Sequence, residues 1–131
     1  MALAVRMTKL EKVRFMDRLA PYPAVLWPVP EGGMEVIFPN FAELKAFGIT
    51  REAAVKAGSE ILTAEILKYA VGGRDLPRPS DPKRLIADED EPPGTELVML
   101  EPDRRALVRY LGLEKTQKAS ALRALGVLGK K

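Results

Sequence analysis

Apolar residues fall along this chain in short blocks whose period changes, and each block predicts one element. Leu3, Met7, Leu10, Val13, Met16 and Leu19 recur at steps of three and four, which predicts an amphipathic helix over residues 3–19, ended by Pro21 and Pro23. From residue 22 to 29 the period drops to two: Tyr22, Ala24, Leu26 and Pro28 share one face, and Pro23, Val25, Trp27 and Val29 the other. The two prolines near the ends of this strand suggest a sheet edge. Pro30-Glu31-Gly32-Gly33 is a turn, and Met34-Glu35-Val36-Ile37-Phe38 is the returning strand of a hairpin. Pro39-Asn40 breaks it, and Leu44-Lys45-Ala46-Phe47 forms a short third strand ended by Gly48.

A helix follows. Thr50 is its N-cap, Glu52 sits in the first turn where the helix dipole favours an anion, and Glu52 and Lys56 are four residues apart. Ala53, Ala54, Ala57, Ile61, Ala64 and Leu67 give a face that starts small, which predicts close approach to the sheet, and Gly72-Gly73 stops the helix. Residues 74–95 are poor in apolar side chains and hold Pro77, Pro79, Pro82, Pro92 and Pro93, so they read as a connector. Residues 96–100 are a short apolar strand that joins the sheet. Pro102-Asp103 opens a helix through about residue 110, Gly112 interrupts, and a last helix is expected over residues 114–125. The fold class is α+β: a small antiparallel sheet with one packed helix, in the order βββαβ. An N-terminal helix (1–21) precedes that unit (22–101), and a helical extension (102–131) follows it.

Composition narrows the function. The 131 residues include no His and no Cys, which removes the commonest general base and metal ligand and the most reactive nucleophile, as well as disulfides and CxxC zinc sites. Ser80 and Ser120 have no evident base partner. The expectation is therefore a binding protein and not an enzyme, with no catalytic residues, no cofactor and no metal. No apolar run approaches the roughly 18–20 residues that span a bilayer, and charges interrupt the first twenty residues, so the expected compartment is the cytoplasm, with no membrane partner.

The formal charge is +3, but its distribution is uneven. Residues 103–131 hold eight basic and two acidic side chains, net +6, whereas residues 88–91 read Asp-Glu-Asp-Glu. The basic end makes Arg104, Arg105, Arg109, Lys115, Lys118 and Arg123 candidates for phosphate contact; a solvated helix face is the plain alternative.

The order Tyr22-Pro23-Ala24-Val25, Gly32-Gly33, Phe38-Pro39-Asn40, Gly48-Ile49-Thr50-Arg51-Glu52-Ala53 and Leu76-Pro77-Arg78-Pro79-Ser80 resembles the HicB family of antitoxins, over about residues 22–85. The resemblance implies a βββαβ partial RNase H-like fold and negative regulation. The partner it implies is a small basic HicA-like toxin, an RNA-cleaving protein whose catalytic site the antitoxin masks. It also implies a homo-dimer or higher oligomer, and a C-terminal DNA-binding module for autoregulation. The chain departs from the family pattern where Asn40 stands for the usual Asp and where Ala42-Glu43 replaces a Pro-Gly pair; the Asn40 side chain is expected to keep the acceptor that stabilises its turn. Nuclease chemistry of the RNase H type needs clustered carboxylates, and the first three strands offer Glu35 alone.

Residues 116–127 look like the first helix and turn of a helix-turn-helix, but too few residues follow for a recognition helix. A ribbon-helix-helix would need polar base-reading positions where Leu97, Val98, Met99 and Leu100 stand. Leu107, Tyr110 and Leu111 are expected to pack with Leu122, Leu125 and Val127, and the arginines outside serve phosphate attraction or dimerisation. Trp27, Phe41 and Asn40 are the partner-binding candidates in the β unit. Trp27 is either an exposed anchor or packed under the N-terminal helix, and Phe41 carries the same two readings. The alternative to the antitoxin reading is a nucleic-acid-binding transcriptional regulator without a toxin partner.

Overall fold

The computed structural model describes residues 7–85 and 91–113. Eight elements follow one another: α1 (Lys9–Asp17), β1 (Tyr22–Pro28), β2 (Met34–Ile37), β3 (Lys45–Gly48), α2 (Arg51–Val71), a 3-10 turn η1 (Pro82–Arg84), β4 (Glu96–Leu100) and α3 (Arg104–Leu111). The four strands form one sheet in the order β3-β2-β1-β4, with every neighbouring pair antiparallel. The helices lie on one face. This is the α+β architecture that the sequence predicts; the helix expected over residues 114–125 lies outside the described residues.

The strand expected at an edge is central. β1 hydrogen-bonds to β2 over Val25 to Pro28 and to β4 over Tyr22 to Leu26. The two neighbours are staggered and overlap on β1 only at Val25 and Leu26. Pro23 therefore has only β4 beside it and Pro28 only β2, so each proline sits where the strand is locally an edge and its missing N–H breaks no continuous ladder.

Local signals explain the element ends. Thr8 and Glu11 form a capping box on α1, with the Glu11 N–H donating to Thr8 Oγ1 (3.1 Å) and the Thr8 N–H donating to Glu11 Oε1 (2.8 Å). Thr50 caps α2 by accepting from the Ala53 N–H (3.1 Å), and Asp103 caps α3 by accepting from the Ala106 N–H (3.1 Å). Gly112, at φ 71°, closes α3 in the left-handed region.

The buried stripe of α2 is rotated from the predicted one. Ala54, Gly58, Leu62, Ile66 and Ala70 face the sheet at steps of four, whereas Ala53 and Ala64 are exposed. Close approach of the helix start is as predicted at Ala54, whose backbone a Cβ on Gly48 would overlap, and it continues at Gly58, where a Cβ would lie 2.8 Å from Leu100 Cδ1 and 3.0 Å from Val36 Cγ1. The stripe on α1 also shifts. Phe15, Met16 and Leu19 are buried and Leu10 is exposed, because α1 docks into the helical layer beside α3 and the last turns of α2. Tyr110 is exposed as well, since Leu107, Val108 and Leu111 make the buried face of α3. One apolar core runs from Phe15 on α1 through Tyr22, Leu26, Val36 and Ile66 to Leu113.

Polar contacts stitch the layers. Thr63 is buried in mid-α2 but fully used, donating to Ser59 O (2.7 Å) and accepting from the Asp103 N–H (2.8 Å), while Ser59 Oγ donates to Glu101 O. Arg51, in the first turn of α2, makes a forked ion pair with Glu96 at the start of β4 (2.9 and 2.6 Å). The hydrogen bond and charge of Arg51 hold the Glu96 carboxyl below its usual pKa, and Glu96 in turn raises that of Arg51.

Candidate protein interface

The sheet has two faces and the helices cover one. Strand alternation sends Tyr22, Ala24, Leu26, Val36, Phe38 and Leu100 towards α2, where all are buried. The opposite positions follow from the register. Trp27 pairs with Glu35 and Glu35 with Phe47; Leu97 pairs with Val25, Val25 with Ile37 and Ile37 with Lys45; Met99 pairs with Pro23. These rows form a second face that no described helix covers, although Pro23, at the Met99 end of it, is fully buried. Phe47 is 52% exposed, Met99 45% and Leu97 40%. Trp27, Val25, Glu35 and Ile37 are half-buried. Exposed apolar residues gathered on one face make it the candidate interaction surface, whereas scattered ones need no explanation.

Trp27 therefore lies on the open face and not under α1. It lines a hollow of about 360 Å³ with Pro28, Val29, Pro30 and Pro92. The parity of β1 decides this, because Leu26 points to the helices and Trp27 must point away.

Phe41 is a core residue, correcting the expectation that left it open as a contact. It is 3% exposed, and its ring meets those of Tyr22 (4.8 Å between centroids), Tyr69 (5.8 Å) and Phe38 (6.4 Å) edge to face. The loop from Phe38 to Leu44 turns inward on backbone bonds from the Phe41 N–H to Phe38 O (3.2 Å) and from the Leu44 N–H to Phe41 O (3.4 Å).

Asn40 does not brace its own turn with its side chain. Its Oδ1 accepts from the Ser80 N–H (3.1 Å), and its Nδ2 donates to Ser80 Oγ (2.9 Å) and Arg78 O (3.3 Å). The Tyr22 hydroxyl donates to Pro77 O (2.6 Å) in the same segment. Burial, with Tyr69 nearby, raises the Tyr22 pKa. Together Tyr22 and Asn40 clamp Leu76-Pro77-Arg78-Pro79-Ser80 against the sheet end, so three motifs distant in sequence are one hydrogen-bonded unit.

Arg104, Arg105 and Arg109 are exposed on α3 beside Tyr110, and one Arg104 nitrogen lies 3.5 Å from Leu19 O. Lys115, Lys118 and Arg123 lie outside the described residues. A second hollow, of about 310 Å³, is lined by Arg14, Arg18, Arg74 and Tyr69, with the Arg74 guanidinium 4.1 Å from the centre of the Tyr69 ring. No group of three or more His, Asp or Glu side chains that could hold a metal ion occurs among the described residues. Glu35 is on the open face and Glu96 on the helical one. No helix among the described residues is long and apolar enough to cross a membrane.

Sequence reasoning passed over Phe47, Leu97 and Met99 as surface residues. Their alternation with Ala46, Val98 and Leu100 was the available signal, but both faces of these strands carry apolar residues, so alternation in polarity is absent.

No family profile matches the sequence, and no curated protein matches it. Solved structures do match in fold. A chain of the HicA3 and HicB3 toxin-antitoxin complex is 28% identical, with a TM-score of 0.52 over 64% of this chain and 99% of that one. A chain of a toxin-antitoxin complex from Streptococcus pneumoniae is 22% identical, with a TM-score of 0.56 over 81% and 97%. The antitoxin HicB of Burkholderia pseudomallei is 16% identical, with a TM-score of 0.55 over 82% and 99%.

Proposed function

Because its fold is HicB-like, we propose that this protein is an antitoxin that binds a small basic HicA-like RNA-cleaving toxin and masks its catalytic site. The observation that carries this reading is the agreement with the HicA3 and HicB3 complex over nearly the whole length of the matched chain. The clamp formed by Tyr22, Asn40 and Ser80 supports it, since it gives a physical role to three of the motifs that carry the HicB resemblance. The reading makes the protein a cytoplasmic, non-enzymatic inhibitor that acts by occlusion, as a homo-dimer or larger assembly. Expression of a HicA-like toxin from the source organism should arrest growth, and co-expression of this protein should restore growth and yield a stoichiometric complex stable to high salt. Such a toxin that arrests growth and is not rescued would refute the reading.

A second reading rests on α3, where Arg105, Arg109 and Tyr110 are exposed together. Such a surface suits phosphate contact and autoregulatory DNA binding. Retention of operator DNA that falls steeply between about 50 and 200 mM salt would support it; equal retention with Arg105 and Arg109 changed to Ala would remove it.

A further inference from the structure

We propose that the open face of the sheet is the surface on which the basic partner protein docks, with Glu35 as the receiver of a partner lysine or arginine. This rests on the antitoxin reading and names the site that the reading leaves open. Three observations carry it.

The face is apolar and uncovered at both edges: Phe47 on β3, and Leu97 and Met99 on β4, are each 40% exposed or more. A monomer gains nothing from holding three large apolar side chains in water on one surface, and an interface gains their burial. At the centre of one row stands a carboxylate, Glu35, half-buried between Trp27 and Phe47. No ion pair to it occurs among the described residues. A half-buried carboxylate is costly to cover without a cation of opposite sign, and Lys45, exposed at the β3 edge of the same face, makes no ion pair to it, so Glu35 favours a basic group on the occupant. Glu91 has the same sign, and the residue after it, Pro92, lines the hollow with Trp27. A carboxylate there adds to the attraction of a basic protein.

A second copy would bring another Glu35 to the face.

The test uses the full chain and, as probe, a HicA-like toxin from the source organism, purified with its catalytic activity disabled. Binding is read by calorimetry, and each variant's fold by thermal melting. Glu35→Lys and Phe47→Ser should each weaken binding by about 30-fold or more, the loss expected at a hot spot. Lys56→Glu, on the exposed side of α2, should leave it unchanged. Should Phe47→Ser lower the melting temperature, Leu97→Lys on the opposite edge gives the same readout. If the wild type binds and the face variants bind equally well, the face is the wrong one and the antitoxin reading stands. If the wild type does not bind, that reading fails and the face proposal fails with it. If the variants dissolve a homo-dimer and leave toxin binding intact, the occupant is a second copy and the proposal is overturned.

Discussion

Replacing Phe41 with Ala removes a ring that touches three other aromatic side chains, although the residue sits in a loop. The magnitude follows from its surroundings. Truncating a fully buried Phe costs about 3–5 kcal/mol through lost transfer energy and the cavity left behind. The edge-to-face contacts with Tyr22, Phe38 and Tyr69 each add about 0.5–1.5 kcal/mol beyond area, which places the loss at the upper end of that range. Urea unfolding followed by tyrosine and tryptophan fluorescence is the assay. With a slope of about 1.5 kcal/mol/M, the midpoint should fall by about 2–3 M. Where that loss exceeds the total stability, Phe41→Leu should still fold and lose about 1–2 kcal/mol. Toxin affinity of the folded Phe41→Leu variant should be unchanged, because the ring reaches no surface. A loss below about 1 kcal/mol for Phe41→Ala, with a large loss of affinity, would refute the placement of Phe41 in the core.

Gly48→Ala should cost about 3 kcal/mol or more, since its Cβ would overlap the backbone N and Cα of Ala54 and neither can rotate away; a midpoint within error of wild type would contradict the close docking of β3 on α2. Glu43→Gly should stabilise by about 0.5–1 kcal/mol, because Glu43 holds φ 59° in the left-handed region while exposed; Glu43→Ala should show no such gain in the same thermal melt. Asn40→Ala should destabilise by about 1–3 kcal/mol by leaving the Ser80 segment without its clamp, and limited proteolysis near residues 76–80 should accelerate. The raised Tyr22 pKa means that the folded state keeps its phenol proton to higher pH than the unfolded chain. The associated stability is present below about pH 10 and is lost as pH rises through the folded value; Tyr22→Phe should flatten that alkaline loss in a pH series of melts.

Much of the chain's local architecture is written where a few neighbouring residues decide the outcome. Thr50 and Asp103 start helices, Gly72 and Gly112 end them, and Gly32-Gly33, with both φ angles positive, closes the hairpin. These are short-range events, so the sequence alone determined the order βββαβ and, through the absence of His and Cys, the turn from reaction chemistry towards binding. What the tertiary structure decided are the long-range pairings. β4, some 70 residues after β1, covers the half of β1 that β2 leaves free, which makes a proline-bearing strand central. Phe41 became core because Tyr22 on β1, Tyr69 on α2 and Phe38 just past β2 converge on it, and Asn40 reached 40 residues ahead to Ser80 instead of bracing its own turn. The open face emerged last and for the same reason. Trp27, Glu35, Phe47, Leu97 and Met99 lie on four strands, and periodicity within one strand cannot tell which of its two apolar faces a helix will cover. Only the docking of α2 on Ala24, Leu26 and Val36 made that choice, and it left the other face without a helix.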